Sequence, residues 1–118
     1  MKGIEQIYYN DFGMSFYWKE RNVVKSEKIQ LVFKETGFYF RVPELKHFVT
    51  LIEESARRNG CCENCEMKHR CAKFLLKTPV SQIDLAVSTK ELDSIKDLVE
   101  GTLFKIKLEE YIYGVGMN

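Results

Sequence analysis

The chain is poor in the residues that break or tether folds: two prolines, one tryptophan and two histidines among 118 residues. So little proline argues against an extended linker or a disordered tail. With 45% hydrophobic and 30% charged residues, the composition is that of a chain that buries a core. No apolar run approaches the roughly 18 residues of a membrane span, so no membrane partner is expected. The start, "MKGIEQIYYND", lacks an apolar h-region and a small-residue cleavage site, and a cytoplasmic location is the expectation. A net charge of +1 gives no global pull toward nucleic acid or a lipid surface. Phosphate-cradling glycine loops and a G-x-S-x-G elbow are missing too, so no constellation specifies an enzyme.

What is present is first a strand-rich stretch over 1–42. "MSFYWKE" alternates, Met14, Phe16 and Trp18 against Ser15, Tyr17 and Lys19, as a half-buried strand requires. "KIQLVFK" and "FYFRV" alternate around the turn "ETG" and predict a hairpin. At Pro43 the period changes, with Leu45, Phe48, Val49 and Ile52 at helical spacing, which predicts a helix over 43–59. Strands are expected within 73–87. Ser88 and Glu91 have capping-box spacing and predict a helix over 88–101. Phe104, Ile106 and Leu108 read as a final strand over 102–108, before a tail at 109–118.

The fold class expected is α+β in one domain, 1–118: an antiparallel sheet of six to seven strands carrying two helices on one face. "ELKHFVTLIEE" and "ELDSIKDLVEG" align at their apolar positions, and each follows a strand pair, so a ββα–ββα pseudo-repeat is a further expectation.

All four cysteines lie in "GCCENCEMKHRC", a knot over 60–71. Cytosolic thiols stay reduced, and clustered ones there hold metal or do redox chemistry more often than they form disulfides. A C-x2-C turn offers two thiolates to one ion. Zinc is therefore the first cofactor expected, with Cys61, Cys62, Cys65, His69 and Cys71 as candidate ligands. The spacing of Cys62, Cys65 and Cys71 also resembles part of the auxiliary iron–sulfur motif of radical S-adenosylmethionine enzymes. That resemblance implies a [4Fe–4S] cluster with Cys61 as fourth ligand. It covers ten residues, Leu75 stands where the family has another cysteine, and the family's barrel has no counterpart in the chain.

From Arg57 to Lys77 six basic residues stand against two acidic ones. This makes Arg57, Arg58, Lys68, Arg70 and Lys73 the candidate contacts to nucleic acid. The same charges would stabilise thiolates, which supports a thiol redox sensor instead. Tyr17, Trp18 and Tyr39 are residue types favoured at protein contacts. The leading expectation is a small interaction or regulatory module with a protein partner. Redox sensing and nucleic-acid binding are the alternatives.

Overall fold

The computed structural model describes residues 2–59 and 73–114. Four antiparallel strands form a meander: β1 (Lys2–Tyr9), β2 (Gly13–Glu20), β3 (Val23–Phe33) and β4 (Thr36–Phe40), in that spatial order. Helix α1 (Val42–Asn59) follows. A short hairpin, β5 (Phe74–Lys77) with β6 (Asp84–Val87), then leads into α2 (Thr89–Glu109) and a π-helical turn at Glu110–Gly114. The fold is α+β, as expected.

Local chemistry explains the turns. Between β1 and β2 the Asn10 carboxamide oxygen accepts from the backbone N–H groups of Phe12 and Gly13 at 2.8 and 3.0 Å, an Asx-type turn. Between β2 and β3 only Arg21 and Asn22 intervene. Both have positive φ, 53° and 66°, the left-handed pair that a two-residue hairpin needs to match the twist of its strands. At α1 the Glu44 carboxylate reaches back to the Arg41 N–H at 2.8 Å, and Pro43 occupies a first-turn site where no N–H is required. At α2 the capping box is complete: Glu91 N–H donates to the Ser88 hydroxyl at 3.1 Å, and Ser88 N–H donates to the Glu91 carboxylate at 2.9 Å.

The core lies between the four-stranded sheet and the helices. Ile29, Leu31, Phe33, Phe38 and Phe40 meet Leu45, Phe48 and Ile52 of α1 and Leu92, Ile95, Leu98, Val99 and Ile106 of α2, with Leu76 and Val87 of the hairpin closing the cluster. Phe38 and Phe40 stack at 5.0 Å, and Phe48 meets both rings edge-on at 6.1 and 6.2 Å. One seam is polar. Ser15 of β2 and Thr102 of α2, both fully buried, share a 2.6 Å hydrogen bond, and the Thr102 hydroxyl also donates to the Leu98 carbonyl. Beside it the Tyr8 ring lies against Gly101, where a Cβ would run into it, and its hydroxyl donates to the Asp97 carboxylate at 3.0 Å. Asn10 adds a 2.9 Å bond to the same carboxylate, so β1 is clasped to the middle of α2.

Several expectations are corrected. The strands do not form one sheet of six to seven: among the described residues they divide into sheets of four and two. Alternation marks strands but does not say which strands pair, and β5 takes β6 as its partner while packing against α1. The pseudo-repeat survives only as chain order. Each helix follows an antiparallel pair, but the pairs belong to different sheets. The segment 102–108 is helix, not strand. Gly101 does not end α2, because Thr102 and Ile106 prolong the buried stripe of Ile95, Leu98 and Val99, and glycine there serves the close approach of Tyr8. On β2, Ser15 and Tyr17 turn toward α2, whereas Trp18 is 36% exposed on the opposite side.

The Glu91 carboxylate does more than cap. It also pairs with the Lys34 ammonium from the β3–β4 turn and, at 3.3 Å, with Lys73 at the entry to β5. Hydrogen bonding from Lys34 first, and from the Ser88 N–H second, holds its pKa down to about 2 from an ordinary 4.5. A depressed carboxylate stabilises the fold above its unfolded pKa, and that stabilisation is lost as pH falls from about 4.5 toward about 2. Glu91→Gln should therefore lower stability at neutral pH by about 1 kcal/mol, a figure held small by solvent screening of the partly exposed lysines. It should also flatten the acid limb of a melting-temperature profile. An unchanged acid limb would show that the three-way contact contributes nothing.

Candidate functional site

Among the described residues, the helices cover one side of the four-stranded sheet and leave the other open. The residues of that open side follow from the register. Gln6 pairs with Phe16, Phe16 with Gln30 and Gln30 with Tyr39, so these four side chains form one row across all four strands. In the next row Ile4 pairs with Trp18 and Trp18 with Lys25.

Phe16 is only 7% exposed although it stands outside the main core cluster. The Trp18 ring covers it edge-on, 5.0 Å between centroids at 83°. Trp18 is itself held: its indole N–H donates to the Gln30 carboxamide oxygen at 3.1 Å, and the Gln30 amide donates to the Phe38 carbonyl at 3.2 Å. Tyr39 stands 45% exposed with the Lys28 ammonium 5.1 Å from its ring centre. Between the two aromatics lies an open depression of about 350 Å³ lined by Trp18, Lys19, Glu20, Lys25, Glu27 and Tyr39. Two lysines and two glutamates balance its charge. Lys19 also reaches Glu5 at 3.4 Å, an exposed pair that adds little stability.

This arrangement holds aromatic rings in fixed orientations beside charges of both signs. Its lining offers no nucleophile with an adjacent base. Among the described residues no group of three or more His, Cys, Asp or Glu is gathered as a metal site would require. The Asp97 carboxylate, on the far side of the sheet, is occupied by Tyr8 and Asn10.

The zinc and iron–sulfur ligand candidates Cys61, Cys62, Cys65, His69 and Cys71 lie outside the described residues, as do Lys68 and Arg70. Arg57 and Arg58 occupy the last turn of α1, where cations complement the helix dipole. Lys73 is engaged by Glu91. Of the three aromatics expected at a contact, Trp18 and Tyr39 share the open face. Tyr17 does not: it is half-buried toward the end of α2, and burial followed by the nearby Glu109 and Glu110 raises its pKa. Neighbours in a strand point to opposite sides, which separates Tyr17 from Trp18. Sequence reasoning misses Gln30 and Lys28. Their signal is positional only, the register that sets them beside Trp18 and Tyr39. No protein-family model matches the chain, and comparison with curated proteins and with solved structures gives no match.

Proposed function

We propose that this protein is a non-catalytic interaction module that binds a protein partner across the open face of its four-stranded sheet. The observation that supports this is the pairing of Trp18 and Tyr39, two exposed aromatics held by Gln30 and Lys28 on a face that no described element covers. Rigid aromatic anchors carry much of the binding energy at protein interfaces, because few torsions are frozen when they bind. The charge balance of the depression between them suits a polypeptide with both signs of charge. A phosphate backbone would meet Glu20 and Glu27.

A photo-crosslinking amino acid in place of Tyr39 tests the reading in cells, with the same substitution at Leu75, 63% exposed on the other sheet, as the control. Discrete protein adducts are expected at position 39 and absent at 75. Trp18→Ala should reduce their yield at least tenfold, the size of effect expected of a hot-spot residue. Nuclease-sensitive adducts, or equal labelling at both positions, would overturn the reading.

A further inference from the structure

β1 is an edge strand, and its register says which backbone groups stand on the outer side. Arg21 and Asn22 close a two-residue turn, so Glu20 and Val23 exchange hydrogen bonds, and alternation then turns the bonds of Lys19 and Tyr17 toward β1. Their partners Gly3 and Glu5 bond inward. The N–H and C=O groups of Ile4 and Gln6 therefore point away from the sheet. Gly3, Ile4, Glu5 and Gln6 are all exposed, and no hydrogen bond among the described residues reaches the outer groups.

α2 overhangs this edge. Tyr8 meets α2 at Asp97 and Gly101, which settles the side of the helix that looks toward β1. Phe104 and Leu108 stand seven residues, two turns, beyond Asp97 and Gly101 and so share that side; Ile112 follows in the next turn. They are 64%, 38% and 53% exposed. Glu109 and Glu110 lie instead beside Tyr17, which pairs with Glu5, so these last turns run level with the first half of β1. Lys105, four residues after Gly101, is also on the β1 side, and among the described residues no acidic group pairs with it.

Edge and overhang together say what fits. A row of alternating donors and acceptors is matched by another extended polypeptide, whereas a nucleic-acid backbone brings acceptors only. A strand laid on β1 would put alternate side chains on the α2 side, where apolar ones cover Phe104 and Leu108 and an acidic one meets Lys105. β1 of a second copy would offer Gly3 and Glu5 there, neither of them apolar.

We infer that the outer edge of β1, overhung by Phe104, Leu108 and Ile112 of α2, accepts an extended segment of a partner polypeptide as an added strand. The segment is apolar on its α2 side, with an acidic residue for Lys105. This site is separate from the depression between Trp18 and Tyr39 and stands whether or not that depression binds a partner.

A random library of peptides about a dozen residues long, displayed on phage and panned on the full chain with a thiol reductant, tests it. Enriched peptides should carry apolar residues at every second position and an acidic residue among them. With one such synthetic peptide at saturation, hydrogen exchange at the Ile4 and Gln6 amides should slow at least tenfold, while the Gly3 and Glu5 amides, already bonded to β2, change little. Phe104→Asp, outside the core, should weaken the peptide at least tenfold, and Lys105→Glu about threefold at low salt. Tyr39→Ala should leave it in place. Four results would overturn the inference: no enriched peptide, a bound peptide that leaves exchange at Ile4 and Gln6 unchanged, an affinity indifferent to Phe104→Asp, or a chain that uses this edge to pair with its own copy.

Discussion

Gly13→Ala should cost the fold about 3 kcal/mol and lower the melting temperature by roughly 12 °C. The added methyl would be driven into the Val32 carbonyl and would stand 2.7 Å from the Phe33 Cβ, both on the neighbouring strand β3. Gly13 pairs directly with Phe33, whose ring is in the core, so neither strand can withdraw without opening the sheet at its aromatic end. The requirement is purely one of space, since Gly13 does not have a positive φ. Gly3→Ala is the matched control, because nothing lies within 4 Å of its would-be Cβ. Calorimetry on the two variants decides: a Gly13→Ala melt within a degree or two of the parent would mean that β2 and β3 do not approach as described.

Leu98→Asp should prevent folding altogether. Leu98 is fully buried among the packed faces of α2, and an unpaired carboxylate there costs at least about 4 kcal/mol, a large share of the stability of a chain this size. The informative comparison is Phe104→Asp, further along the same helix, which should leave the melt of dilute protein unchanged within about 2 °C. Were 102–108 a strand with Phe104 inward, the two substitutions would be equally damaging. Circular dichroism melts of both variants therefore test the helical reading of this segment as well as the core.

What the sequence reveals of this fold is what is local. Pro43 and the Leu45–Phe48–Ile52 spacing mark α1 to within a residue, and Ser88 with Glu91 marks the start of α2, because caps and helical periodicity are written in neighbouring residues. Gly101 misleads. A glycine after a helical stripe resembles a C-cap, and only the distant Tyr8 explains why it stands mid-helix. The facing of β2 is not legible for a related reason. Met14, Phe16 and Trp18 are more apolar than Ser15 and Tyr17, so hydrophobicity alone would turn the strand the other way round. The Ser15–Thr102 hydrogen bond that fits the observed facing joins residues 87 apart. The open-face site is half legible. Aromatic residue type draws attention to Trp18 and Tyr39, but their common surface and the supporting Gln30 depend on register across four strands.

Trp18 is the only tryptophan in the chain, and it stands on the open sheet face rather than in the core. Its indole is partly wetted in the folded protein, so unfolding changes the polarity around it far less than it would for a buried ring. A molecule that settles over the face would strip water from it and shift its emission to the blue. The chain thus carries a built-in optical reporter that is insensitive to much of the core and attentive to the one surface it shares with Tyr39.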